Sequence, residues 1–229
     1  MPTLSGTISF DMSARNIITF ALRKINILST TEDPSADDAA RAMQELNMML
    51  KSWEKYEQIW RLTEGFVQLI ASTQSYNLIP IPYRIIDMRF RNSSGNDLPM
   101  WEMNRTEYYD LPRKDSDGPP TTYFFDRQRD TTAIYVWPVP SVVTTETLRV
   151  TYQRRFQDID HLDDEIDCPH DYLSLVGYNL ASRLTEDFGR SGNHVDRIVA
   201  RAQQMLEDAL DDDREDAVQF VPGYHFRYY

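Results

Sequence analysis

The spacing of apolar residues changes twice along this chain, and nothing else in the sequence constrains the fold as strongly. From Met12 to Gln58 apolar residues recur every three or four positions, from about Trp60 to Arg155 every two, and beyond Gln157 every three or four again. A helical period offers no clean face to a sheet, and a period of two offers none to a helix bundle. The chain is therefore expected to run helices, an inserted β module, then helices.

Within the first region Ala14, Ile17, Ala21, Ile25 and Leu28 fall on one face of a helix opening near Ser13. A second helix is announced by Asp33, Pro34 and Ser35, with Asp38 three residues after Ser35 as in a capping box. Its stripe runs Ala39, Met43, Leu46, Leu50 and Trp53. In the third region Val176, Leu180, Leu184 and Phe188 form one stripe, and Val195, Ile198, Ala202, Met205 and Ala209 form another. Asp167 or Cys168 with Pro169 is expected to open the third helix, Gly189 to end it in a left-handed cap, and Asn193 to cap the fourth. The expected core comprises Ile17, Ala21, Ile25, Met43, Leu46, Leu50, Trp53, Val176, Leu180, Leu184, Ile198 and Met205.

The middle region is punctuated by prolines and predicts four or more antiparallel strands. Alternation is clearest in Ile86, Met88 and Phe90, in Tyr123 and Phe125, in Ile134 and Val136, and in Leu148, Val150 and Tyr152. Asn92 to Asn96 reads as a loop, and Arg105 to Leu111 as a short helix or turn. The fold class is α+β: a four-helix bundle core, an inserted antiparallel β domain and an extended C-terminal arm. The boundaries are residues 1–59 and 157–213 for the two halves of the bundle, 60–156 for the insertion and 214–229 for the arm.

Charge narrows the function. Twenty-four basic residues against thirty-six acidic ones leave −12, which disfavours a phosphate-clasping surface, since DNA binding rests on neutralising phosphates. The lone Cys168 cannot form an internal disulfide or a multi-thiolate metal site. Met1 to Phe10 lacks the basic segment and apolar run of a signal peptide, and no stretch approaches the roughly 18 to 20 apolar residues of a membrane span. His161, Asp163, Asp164, Glu165, Asp167, Cys168, His170 and Asp171 carry metal-capable groups, but at no zinc spacing. No nucleophile elbow, phosphate-cradling loop or dinucleotide fingerprint is present among the eight scattered glycines. No catalytic residue, metal or cofactor is expected.

The end of the chain is different. A dense acidic run from Glu207 to Asp216 gives way to Phe220, Val221, Pro222, Gly223, Tyr224, His225, Phe226, Arg227, Tyr228 and Tyr229. Five aromatics in ten residues have no regular period with which to bury themselves, and a partner groove explains them better than a solvated tail.

The order of these segments resembles the head-to-tail adaptors of short-tailed bacteriophages, also called tail tubular protein A-like or packaged-DNA stabilisation proteins. The resemblance rests on Ser35-Ala-Asp-Asp, on Glu45-Leu-Asn-Met-Met-Leu-Lys-Ser-Trp53, on Gly118-Pro-Pro and on Ile134-Tyr-Val-Trp-Pro-Val-Pro140. Tyr152, Asp167-Cys-Pro169 and Asn179-Leu-Ala-Ser-Arg-Leu184 complete it. It covers roughly Ser13 to Leu210.

The resemblance implies a non-enzymatic homo-oligomer, a ring of twelve copies beneath the portal protein of the virion, made in the bacterial host cytoplasm. Such a ring closes the DNA-filled head, lets DNA pass without specific binding and offers a platform to the tail nozzle. It further implies that Phe220, Val221, Tyr224, Phe226, Arg227, Tyr228 and Tyr229 dock on the portal. Asp211, Asp212, Asp213, Glu215 and Asp216 become candidates for the channel wall. A second reading is a glycan-binding or glycan-cleaving β module, with Trp101, Tyr108, Tyr109 and Trp137 as stacking platforms; exposure of those rings separates the two.

Overall fold

Local chemistry sets each helix end. The fold, taken from a computed structural model, is described for residues 10, 12–56, 59–128, 132–141 and 145–212. Extended Ser13 precedes α1 (Ala14–Lys24). Asn26 then takes φ +57°, a left-handed conformation that asparagine tolerates, and the Ile27 amide returns to the Leu22 carbonyl at 3.0 Å. The helix stops there, so Leu28, expected on its stripe, lies in the following turn and is only partly buried. At α2 (Ala36–Trp53) the Ser35 hydroxyl accepts from the Asp38 amide, as its spacing predicts.

Pro169 leads into one 3-10 turn, His170–Tyr172, ahead of α4 (Leu173–Asp187). Gly189, at φ +58°, ends α4 with the Arg190 amide on the Thr185 carbonyl at 2.8 Å. Asn193 is the first residue of α5 (Asn193–Asp212), not its cap; the Asp196 amide reaches the Gly192 carbonyl instead.

Helices α1, α2, α4 and α5 meet in one core, with α4 packed on the other three. Ile17, Ala21, Ile25, Leu46, Leu50, Trp53, Val176, Leu180, Leu184 and Ile198 are all buried, whereas Met43 and Met205 are only partly so. Gly177 permits the tightest approach: a Cβ there would stand 2.8 Å from the Phe20 ring.

Between α2 and α4 the described residues form eight strands: β1 (Leu62–Gln68), β2 (Ser75–Tyr76), β3 (Pro82–Arg91), β4 (Asp97–Pro99), β5 (Trp101–Met103), β6 (Thr122–Arg127), β7 (Thr132–Trp137) and β8 (Thr147–Arg154). They form two four-stranded sheets, ordered β1-β8-β3-β4 and β2-β7-β6-β5. A second core joins the sheets, built from Ile85, Met88, Phe90, Leu148, Val150 and Tyr152 of one, and Tyr76, Tyr123, Phe125, Ile134 and Val136 of the other.

The insertion is built mainly of antiparallel pairs, as expected, and departs from the expectation in two details. The insertion is not wholly antiparallel, because β5 pairs with β6 in parallel after the chain crosses over through α3 (Arg105–Tyr109). Strict alternation also breaks in β3, where a register shift between Ile85 and Asp87 turns Ile85 inward and leaves Ile86 40% exposed.

Candidate functional site

The β module leaves and rejoins the helices at one place, because Leu62 of β1 is paired with Gln153 of β8. Arg61 stands at that junction and is 0% exposed. Helix α2 ends there with carbonyls that no further turn can satisfy. The Arg61 guanidinium takes them over, donating to the Tyr56 carbonyl at 2.6 Å and the Glu54 carbonyl at 3.1 Å, with a longer 3.5 Å contact to Trp53. Its other terminal nitrogen donates to the Arg154 carbonyl of β8 at 3.3 Å. The guanidinium also lies over the Phe156 ring, 4.6 Å from its centroid. Burial lowers the Arg61 pKa to about 10, against the opposing pull of Glu54.

Other polar groups tie the same two segments. Gln153 Nε2 donates to the Tyr56 carbonyl at 2.7 Å, and buried Glu54 accepts from the Phe156 amide at 3.2 Å. Lys51 Nζ donates to the Phe156 carbonyl at 2.6 Å, and Asn47 pairs in both directions with the Ile159 backbone. Arg154 grips Asp167 through two bonds of 2.6 and 2.8 Å. Burial would raise the Asp167 pKa, but Arg154 and the Gln157 amide outweigh it and hold the carboxyl below its ordinary value. The result is a polar seam where the β module joins the helices. Sequence reasoning missed this seam, since Arg61 within Ile59-Trp60-Arg61-Leu62 looks like any strand-edge cation.

Several metal-capable residues of the 161–171 segment have other partners. Asp164 accepts the Asp160 and His161 amides, Asp163 pairs with Arg15, and His170 Nδ1 meets the Phe10 carbonyl at 3.0 Å. Hydrogen bonds from the His161 and Asp160 amides hold the Asp164 carboxyl below its ordinary value against slight desolvation. No group of three or more His, Cys, Asp or Glu residues among those described is placed to hold a metal ion.

The four candidate stacking rings do not act together. Tyr108 is 4% exposed, stacked on Phe124 at 4.9 Å and close to Tyr135, which removes it as a platform. Trp137 is half-buried with its indole nitrogen donating to the Arg113 carbonyl. Trp101 and Tyr109 are exposed, one on β5 and the other on α3.

Of the expected channel acids, Asp211 is exposed near the end of α5, beyond Glu207 and Asp208, in a last turn that carries no basic residue. Negative charge opposes the helix dipole at that end. Asp212 closes the helix. Asp213, Glu215 and Asp216, together with the arm residues Phe220, Val221, Tyr224, Phe226, Arg227, Tyr228 and Tyr229, lie outside the described residues. No helix among the described residues is long and apolar enough to cross a membrane.

Comparison with known proteins yields one family, and several solved structures match the chain, among them two from gene transfer agent particles. A chain in the neck of an empty gene transfer agent (GTA) particle, computed with C6 symmetry, is 12% identical, with a TM-score of 0.30, covering 82% of this chain and 93% of that one. A chain in the virion of a native gene transfer agent particle is 14% identical, with a TM-score of 0.32, covering 92% and 93%. No curated protein matches the sequence. The family model of the SU10 adaptor protein matches residues 12–223, which takes in both helix pairs, the whole β module, the acidic run and the start of the arm. On that match, this chain belongs to the SU10 adaptor protein family.

Proposed function

We propose that this protein is a structural component of a phage-type virion, an adaptor at the head-to-tail junction. Twelve copies form a ring beneath the portal, close the head over packaged DNA and present a platform to the tail nozzle. The observation that carries the reading is the family match over residues 12–223. Catalysis plays no role in it.

Physical features support the finer assignments. A closed ring needs two different faces on each copy, and a body of four packed helices supplies them. An excess of twelve negative charges favours a wall along which DNA slides without adhering, and the exposed acidic end of α5 contributes Asp211 to that wall. Asp212, Asp213, Glu215 and Asp216 extend it. Phe220, Val221, Tyr224, Phe226, Arg227, Tyr228 and Tyr229 then dock on the portal, because aromatic and arginine side chains bury large areas at low rotamer cost.

Electron microscopy of the purified chain mixed with its portal tests the proposal. Rings of this protein stacked coaxially on portal rings are expected. Portal rings that remain bare at saturating protein would refute it.

A further inference from the structure

One end of the helical body gathers positive charge in an otherwise acidic chain. The last turn of α1 carries Arg23 and Lys24. Lys24 Nζ lies 5.2 Å from the centre of the Tyr178 ring of α4, and the Arg201 guanidinium of α5 lies 5.3 Å from the same ring. His194 Nε2 meets the Lys24 carbonyl at 2.7 Å, which holds the start of α5 against the end of α1. Arg190 donates to the Asn26 carbonyl at 3.1 Å, and Arg197 stands between His194 and Arg201 on α5. Arg190, Arg197 and Arg201 are exposed, while Lys24, Phe20 and Tyr178 are half-buried. Phe20 and Tyr178 meet edge to face at 5.6 Å, so the cations border an aromatic patch, a composition that suits an interface. Glu186 and Asp187 at the end of α4 and Asp196 on α5 are exposed as well. Yet among the described residues no ion pair engages Lys24, Arg190, Arg197 or Arg201.

The other end of α5 has the opposite sign. From Glu207 to Asp212 it carries Glu207, Asp208, Asp211 and Asp212 and no base. Glu207 and Asp208 are exposed and form no ion pair with a described residue. Local stability does not account for these acids. Helix α2 opens on Asp37 and Asp38 and closes on Lys51, as the helix dipole favours, whereas acids at the end of α5 oppose it. Nor do the two ends of α5 neutralise each other. Side chains meet along a helix three or four residues apart, and Arg201 precedes Glu207 by six and Asp208 by seven. From Arg197 to Asp208 the helix rises about 16 Å. Two surfaces of opposite charge are thus held apart within one molecule and can meet only between molecules.

We propose that the basic face around Tyr178 docks a second copy of this chain, setting the Glu207–Asp208 end of that copy's α5 against Lys24, Arg197 and Arg201. Because the two surfaces differ, each new copy leaves one of them unfilled, and the contact repeats from copy to copy. That the repeat closes into a ring rests on the function proposed above; the contact itself does not.

Sedimentation velocity at low ionic strength tests this on the full chain and two variants. One reverses the basic face, Arg197→Glu with Arg201→Glu, and the other reverses the acidic end, Glu207→Lys with Asp208→Lys. The wild-type chain is expected to self-associate, at least about tenfold more weakly when salt is raised, and each variant alone at least about tenfold more weakly than wild type. An equimolar mixture of the two variants should regain the association, since the reversed face of one fits the reversed end of the other, which also shows that both remain folded. A wild-type chain that stays monomeric throughout, variants that associate like wild type, or a mixture that does not recover would each overturn the proposal. So would a basic-face variant that loses duplex DNA binding but keeps its self-association, since phosphate would then be the occupant. Portal rings that stay bare while the free chain self-associates as described would refute the ring and leave the contact between copies standing.

Discussion

Replacing Arg61 by methionine, which keeps most of the side-chain volume and removes the charge and donors, is expected to destabilise the protein by about 3–5 kcal/mol. The figure follows from what is left behind. The Tyr56 carbonyl keeps its bond from Gln153, but the Glu54 and Arg154 carbonyls lose the donors now at 3.1 and 3.3 Å. Each orphaned carbonyl costs about 1–2 kcal/mol. The buried Glu54 carboxylate also loses the attraction of the Arg61 charge and keeps Lys51 at 3.5 Å and the Phe156 amide, for roughly another 1 kcal/mol. Arg61→Lys should fall between the two, since one ammonium cannot reach both the α2 end and β8. Urea unfolding followed by tryptophan fluorescence and far-ultraviolet circular dichroism measures the loss, and Trp53 and Trp60 flank the site as reporters. A loss below about 1 kcal/mol for Arg61→Met would refute the view that this side chain holds the seam.

Gly177→Ala should cost about 1–3 kcal/mol by thermal melting, because its Cβ would meet the Phe20 ring at 2.8 Å; combined with Phe20→Ala the two losses should not add. Leu46→Ala and Leu180→Ala, both at fully buried positions, should each lose about 2–5 kcal/mol in urea unfolding, and losses under half a kcal/mol at both would contradict the helix assignment. Asp167 has a folded pKa below its unfolded value, so its contribution is complete above roughly pH 4 and is lost as pH falls through the lower folded value. Asp167→Asn should accordingly flatten the acid limb of a stability-versus-pH curve. Deleting Val218 to Tyr229 should leave the monomer's unfolding curve intact and abolish co-sedimentation with portal rings, and normal co-sedimentation would move the joint to the helical face.

The helices were legible because their apolar stripes have one period and their ends use local signals. Ser35 with Asp38 and Gly189 act within a single turn, so their roles can be read from neighbouring letters. Leu28 misled because the stripe continues in sequence past Asn26, whose left-handed backbone ends the helix two residues earlier. In the β module the alternation of Tyr123, Phe125, Ile134 and Val136 was plain, but one extra residue near Ile86 reversed the facing of its neighbours. The parallel partnership of β5 and β6 could not be read from two short runs, since pairing direction is settled by the path between them. Arg61 was illegible for a related reason: its four carbonyl partners come from residues up to 93 positions away.

The pairing of β1 with β8 at the neck of the insertion has a mechanical consequence. Both strands leave the helical body from the same end of their shared ladder, with Leu62 beside Gln153. A pull on the β module away from the body loads that ladder at its base, where the rungs open in succession, as a zip does, instead of sharing the strain in shear. The first rung to open lies directly against Arg61, whose guanidinium grips the end of α2 with one nitrogen and the carbonyl after Gln153 with the other. Under tension the resistance of the neck is set by that clasp and the Arg154–Asp167 bonds beside it, while the remaining rungs of the ladder bear almost no load until it fails.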